Sequence, residues 1–210
     1  MTKIQWGILS TANIAQKALI PAIQRAKNAE VTAIASGSDA GKARAVAEKF
    51  EIPKTHDRYE ALLEDPDIQA VYIPLPNHLH KKWVIEAAKA GKHILCEKPI
   101  GLDEEEAREM QRVCEENGVL LMEAFMYHFH PQHERVKEIM ASGEIGDVRY
   151  MRAAFSFFIG NKADNIRMHR EKGGGCMYDV GSYGVHSIRN ILGKSRRQSM
   201  FTQLWIRIMR

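Results

Sequence analysis

Across its first 120 or so residues the chain alternates short apolar, often β-branched runs with segments whose apolar residues recur at helical spacing, and this alternation constrains the fold most. Ile4 to Leu9 predicts a strand, and residues 14–26, after a polar turn, predict a helix. Val31 to Ala35 predicts a second strand, residues 41–50 a helix, and Tyr59 to Leu63 a short helix ended by Pro66. Val71 to Ile73 starts a strand that stops at Pro74 and Pro76, since proline offers no amide to a ladder. Residues 79–90 form an amphipathic helix closed by Gly91, and His93 to Cys96 a strand. Residues 103–117 predict a helix with Asp103 as cap and an acidic first turn, Gly118 as terminator and Val119 to Met122 as the next strand. Strands that alternate with helices connect by right-handed crossovers, so the sheet is expected to be parallel and covered on both faces.

After Glu123 the pattern changes to a helix (131–142), a longer alternating strand (147–158), a polar loop, the run Gly173-Gly174-Gly175 and a helix (177–192). The fold class is thus α/β, a doubly wound parallel sheet followed by an incomplete α+β domain. The expected division is 1–123 for the first domain, 124–193 for the second and 194–210 for an atypical basic tail. At 210 residues and 45% hydrophobic content there is apolar material for one full domain and part of another. The net charge of +4 gathers in the tail at Lys194, Arg196, Arg197, Arg207 and Arg210, which is not the footprint of a nucleic-acid surface. No leader-like amino terminus and no window near 18 apolar residues is present, so neither secretion nor a membrane is indicated and the cytoplasm is the expected location. Cys96, Cys114 and Cys176 are widely spaced, which predicts reduced, mostly buried thiols and neither a disulfide framework nor a metal site.

The turn after the first strand reads Ser10-Thr11-Ala12-Asn13-Ile14-Ala15. A Rossmann dinucleotide fingerprint would place glycines at 10, 12 and 15, because backbone amides at the helix start must approach a pyrophosphate closely. Ser, Ala and Ala meet that demand for smallness in part, and an ordinary strand-to-helix turn stays open. The second strand ends in Ser36-Gly37-Ser38, where an NAD site usually carries an acid for the ribose 2′-hydroxyl. Hydroxyls with Lys42 and Arg44 nearby favour a 2′-phosphate, hence NADP, while neighbouring Asp39 keeps NAD open.

Leu75, Asn77 and His80 lie in Pro74-Leu75-Pro76-Asn77-His78-Leu79-His80, at the carboxyl edge where ligands bind in such sheets. Asn77 also suits a helix cap, and His78 and His80 fit capping or cofactor contact better than a metal pair. Glu97-Lys98-Pro99 ends the next strand at the same edge, so the Lys98 ammonium could bind a substrate oxygen; a solvated lysine before a proline is the plainer alternative. If residues 177–192 are helical, Asp179, Tyr183 and His186 share one face, presenting an acid and a phenol to a substrate or packing into a core. An ammonium beside a tyrosine favours phenolate, so Lys98 would make Tyr183 a better base.

Taken in order, WGILSTANIA, YIPLPNHLH, EKPIGLDEEEA, MEAFMYHFHPQ and GGGCMYDVGSYGVHSIRNILG resemble the landmarks of the Gfo/Idh/MocA oxidoreductase family over residues 1–193. The likeness is nearest its dihydrodiol, NADP-xylose dehydrogenase and glucose-fructose oxidoreductase branch. The resemblance implies a catalytic lysine at Lys98, a cis Lys98-Pro99 peptide, the family's acid at Asp179 and the acid/base at Tyr183. It implies hydride transfer between NADP, or NAD, and a hydroxyl-bearing carbon of a sugar, polyol or diol. Ser10, Thr11, Ala12, Asn13, Ile14, Ser36, Ser38, Lys42, Leu75, Asn77, His80, Glu97 and Lys98 are the expected cofactor contacts.

Relatives of this kind are longer, complete the second domain as a large open sheet, and form homo-oligomers through it. The likeness is read as ending at Gly193, where KSRRQSMFTQLWIRIMR replaces the expected strand, which suggests a frameshift or premature end. A catalytically silent dinucleotide-binding or regulatory protein of the same fold is therefore the alternative function.

Overall fold

The computed structural model describes residues 2–160 and 165–193. The strands are β1 (Ile4–Leu9), β2 (Ala29–Ala35), β3 (Lys54–His56), β4 (Ala70–Ile73), β5 (His93–Cys96) and β6 (Leu121–Glu123). They form one sheet in the order β3-β2-β1-β4-β5-β6, with every neighbouring pair parallel. The helices of the sheet are α1 (Ile20–Arg25, entered through a π-helical turn at Ala15–Leu19), α2 (Ala40–Phe50), α3 (Tyr59–Glu64), α4 (His80–Lys89) and α5 (Glu104–Glu116). Beyond them lie α6 (Pro131–Ala141) and α7 (Ser182–Leu192), the latter entered through a π-helical turn at Met177–Gly181.

Successive strand residues point to opposite faces, so each central strand feeds two cores. Ile8 and Ile34 pack with Ile20, Ile23 and Val46 on the face covered by α1 and α2. Their neighbours Leu9 and Ala35 pack with Leu62, Trp83, Val84, Met110 and Val113 on the face covered by α3, α4 and α5. The chain leaves β1 towards β2 and β3, then returns to β4 on the other side, and a sheet that reverses in this way opens a crevice at the carboxyl ends of β1 and β4. The expected parallel doubly wound sheet is the one found.

The chain packs as two compact units. Of the described residues, one comprises those up to Met126 together with those within Phe155–Tyr183, and the other Tyr127–Ala154 together with residues 184–193. The strand expected over 147–158 is not formed: that stretch is irregular, and no strand follows Glu123 among the described residues. An alternating pattern becomes a strand only when a neighbour supplies ladder partners, and the described residues contain none outside the first sheet. Conversely β3 was not expected from Lys54-Thr55-His56, which has no apolar pattern; it is an edge strand held by pairing with Ala33–Ala35. The sixth strand sits later than its expected 119–122. Cys96 and Cys114 are buried free thiols and Cys176 is half-buried. No helix among the described residues is long and apolar enough to cross a membrane.

Candidate active site

Ser10 follows β1 with φ +146°, a conformation that favours glycine, and its Oγ accepts the Ala12 amide at 3.0 Å. Position 10 is where the fingerprint calls for glycine, so a serine here holds a glycine-like backbone. Thr11 and Ala12 are half-buried, Asn13 and Ile14 are exposed, and the helix behind them starts on fully buried Ala15. Backbone amides at a helix start attract anions, and the residues that lead into this one, Ser10, Thr11 and Ala12, are small.

At the end of β2, Ser36 is buried and its Oγ accepts the Asp39 amide at 3.3 Å, while Ser38 and Lys42 are exposed. Asp39 is committed elsewhere: its carboxylate caps α2, accepting the amides of Gly41 at 2.9 Å and Lys42 at 3.2 Å. Both amides bond the same oxygen, Oδ1, and Asp39 Oδ2 lies 3.9 Å from the Lys42 ammonium.

Beyond β4, Leu75 is buried, and the Asn77 side chain donates to the Gly173 carbonyl at 2.7 Å rather than capping its own helix. His80 is fully buried, with Nδ1 2.8 Å from Pro99 O and Nε2 2.8 Å from Leu75 O. It braces two turns from inside and presents no surface to a ligand. Burial lowers its pKa below the usual imidazole value, and the two carbonyls act in the opposite direction. Glu97 accepts the Tyr72 hydroxyl at 2.6 Å on one oxygen and the Lys98 amide at 3.3 Å on the other. Burial and the Glu97 charge push the Tyr72 phenol far above its ordinary range. The Lys98-Pro99 peptide is cis.

Lys98 and Asp179 meet at the centre of this edge. The Lys98 ammonium donates to the Asp179 backbone carbonyl at 2.9 Å and to Asp179 Oδ1 at 3.1 Å, and the two side chains are only 12% and 13% exposed. The same ammonium lies 4.8 Å from the centre of the Tyr183 ring. The Tyr183 hydroxyl donates to Met126 Sδ at 3.5 Å, and its ring meets Phe125 and Phe155 edge-on at 5.5 and 5.2 Å. Lys98, Asp179 and Tyr183 are thus brought together. His186, on the same stretch of chain, is instead joined to the Tyr127 hydroxyl at 2.6 Å.

Arg167 escaped the sequence reading. Its Nε donates to Asp179 Oδ2 at 2.5 Å, and its guanidinium lies 5.4 Å from the centre of the Phe157 ring. The glycine run makes this approach feasible: a Cβ on Gly174 would lie within 2.5 to 2.8 Å of the carbonyl oxygens of Ile166, His169 and Arg167, and Gly173 turns the chain with φ +73°. The available signal was indirect, namely that an acid in a largely apolar segment calls for cations. Tyr72, read in sequence as an ordinary strand residue, and Glu123, which fell just beyond the expected 119–122 strand, also support the site.

A family profile described as "Oxidoreductase family, NAD-binding Rossmann fold" matches residues 4–125, and one described as "GFO/IDH/MocA C-terminal domain" matches residues 133–205. The second match runs past Gly193, where the likeness was expected to end; that tail lies outside the described residues. The chain is 47% identical over 194 residues to D-xylose 1-dehydrogenase (NADP(+)) 2 of Haloferax volcanii, covering 92% of this chain and 59% of that protein. It is 34% identical over 199 residues to the trans-1,2-dihydrobenzene-1,2-diol dehydrogenase of Mus musculus, covering 94% and 59%. Among solved structures, a 3-ketoreductase from Actinomadura kijaniata in complex with NADP and TDP-benzene superposes with a TM-score of 0.84 at 39% identity, covering 91% of this chain and 58% of the other. The chain thus spans less than two thirds of the length of these relatives. With a parallel sheet of this strand order, the Lys98–Asp179–Tyr183 group at its carboxyl edge and a profile match over most of its length, the chain belongs to the Gfo/Idh/MocA family of oxidoreductases.

Proposed function

We propose that this chain supplies the cofactor site and the proton-handling residues of an NADP-dependent oxidoreductase that acts on a hydroxyl-bearing carbon of a sugar, polyol or diol. The carrying observation is the Lys98 ammonium, held by Asp179 at 2.9 and 3.1 Å and lying 4.8 Å from the Tyr183 ring centre at the ligand edge of the sheet. The residues present fit the dinucleotide: the glycine-like Ser10 turn and the amides of Thr11, Ala12, Asn13 and Ile14 suit a diphosphate. Ser36, Ser38 and Lys42 offer hydroxyls and an ammonium to a 2′-phosphate, while Asp39 gives Oδ1 to the α2 cap and keeps Oδ2 3.9 Å from the Lys42 ammonium. When bound, the nicotinamide supplies the hydride acceptor or donor.

The chain's own residues then bind, orient and move a proton. Lys98 binds the substrate oxygen, and Asp179 aims the ammonium. Tyr183 removes the hydroxyl proton during oxidation and returns it during reduction. Phe125 and Phe155, which meet its ring edge-on, fix the phenol. The named sugar and diol activities of the relatives agree with this class of substrate.

The test begins with binding. Titration of the chain followed by nicotinamide fluorescence is expected to show saturable NADPH binding, about tenfold or more tighter than NADH, from charge-assisted contacts to the 2′-phosphate. Equal affinities would remove the role given to Ser36, Ser38 and Lys42, and binding of neither would remove the cofactor role. In turnover assays over aldoses, polyols and diols, Lys98→Met and Tyr183→Phe should each lower kcat by about 10² to 10⁴ with NADPH affinity nearly unchanged. Full activity in either variant sinks the assignment.

A further inference from the structure

The turn that carries Lys98 is held at three successive residues by side chains from three parts of the sheet. Glu97, next to the end of β5, accepts the Lys98 amide at 3.3 Å. His80, at the start of α4, has Nδ1 2.8 Å from the Pro99 carbonyl. Glu123, at the end of β6, accepts the Ile100 amide at 2.8 Å. The other ring nitrogen of His80 meets the Leu75 carbonyl at 2.8 Å, so one imidazole ties the turn after β4 to the turn after β5. The second Glu97 oxygen is anchored by the Tyr72 hydroxyl at 2.6 Å.

This is a costly way to close a turn. His80 is fully buried, and Glu123 is sufficiently withdrawn from water that burial raises its pKa, with the Glu97 charge acting in the same direction. Removing polar groups from water costs free energy that apolar packing would not. The position of the ammonium gives a reason for them. A lysine side chain has four rotatable carbons, so Nζ is located only when its root is fixed and its head is held, and Asp179 holds only the head.

We propose that His80 and Glu123 are positioning residues for Lys98, acting with Glu97 as a clamp on the Lys98–Ile100 backbone that sets where the ammonium meets Asp179 and Tyr183. The inference rests on the reading of Lys98 as the group that binds the substrate oxygen. Neither His80 nor Glu123 needs to touch substrate or cofactor, and His80 is thereby moved from the expected cofactor contacts to the support beneath them.

Amide hydrogen exchange by mass spectrometry, on peptides spanning residues 97–102 of the whole chain, compares wild type with His80→Gln, Glu123→Ala and Glu123→Gln. Glu123→Ala should speed exchange in this segment about tenfold or more while β1 and β4 exchange as in wild type. Glu123→Gln keeps an oxygen for the Ile100 amide and should restore protection. In parallel turnover assays, Glu123→Ala and His80→Gln should lower kcat about 10- to 100-fold, with KM for NADPH changed less than about threefold, as expected of a misplaced catalytic group. Glu123→Gln should recover kcat. Wild-type exchange in Glu123→Ala overturns the clamp, as does a loss of turnover that Glu123→Gln fails to recover. If the wild-type chain binds NADPH but turns over no substrate, the oxidoreductase reading fails, and the exchange experiment still decides the clamp.

Discussion

Asp179 answers to two cations at once, Lys98 on Oδ1 and Arg167 on Oδ2. Its side chain is 13% exposed, so the two ion pairs stand in for contacts with water that burial removes. The second cation does more than balance charge: by occupying one oxygen it leaves the other to fix the direction of the Lys98 ammonium. Arg167→Met should therefore lower kcat about tenfold through a less well-placed ammonium, with NADPH affinity unchanged, and Arg167→Lys should recover part of the loss. Steady-state kinetics beside a fluorescence titration checks this; a change confined to KM for NADPH would contradict it. Arg167 was hidden from sequence because an arginine in a polar loop has no period or motif to mark it. Its partner is brought to it by the Gly173–Gly175 turn.

The start of α2 shows how one helix terminus bears on cofactor choice. Asp39 has extended backbone angles and its Oδ1 accepts the amides of Gly41 and Lys42, as an N-cap does. Asp39→Ala should cost about 1 kcal/mol of stability, read from denaturant unfolding, and leave the ratio of NADPH to NADH affinity nearly unchanged. A selective loss of NADH binding would instead mean that Asp39 reads the ribose. Asp103 caps α5 in the same manner, accepting the Glu106 amide at 2.8 Å, with three glutamates in the first turn. That cap was legible in sequence, because a cap is a local pattern. The role of Asp39 was not, since cap and ribose ligand use the same residue at nearly the same place.

Stability of the folded chain should depend on pH through fully buried His80 and half-buried His186. His80 and His186 both have pKa values lowered from 6.5, chiefly by burial, so the unfolded state takes up protons first as the pH falls. Their contribution is complete above the unfolded value and is lost as the pH falls through the folded ones. Glu123 has the opposite sign: its value is raised from 4.5, so the folded state binds that proton more readily and gains stability as the pH falls from its folded value towards 4.5. The thermal midpoint should accordingly drop between about pH 7 and about pH 5.5, before Glu123 offsets the trend, and His80→Gln should flatten the drop. Circular dichroism melts across that range test it, and a midpoint independent of pH would exclude the two imidazoles as its source.

What the amino-acid sequence determined by itself is the parallel sheet and its helices, and with them the carboxyl edge to which the candidate site is assigned. Each follows from short-range physics: β-branched runs such as Val31 to Ala35, helical spacing in residues 79–90, and breakers such as Gly91 and Pro74. The Lys98, Asp179 and Tyr183 positions were also legible, through motifs whose order resembles a family. The tertiary structure alone decided what depends on a distant partner. Residues 147–158 alternate like a strand and stay irregular without neighbours to pair with, whereas Lys54–His56 pairs with β2 without any strand pattern. His80, read as a ligand contact, lies fully buried between Leu75 and Pro99, and Arg167 meets Asp179 across a glycine turn. A sequence specifies which groups a side chain can bond, but only the folded backbone sets which of them lie within about 3 Å.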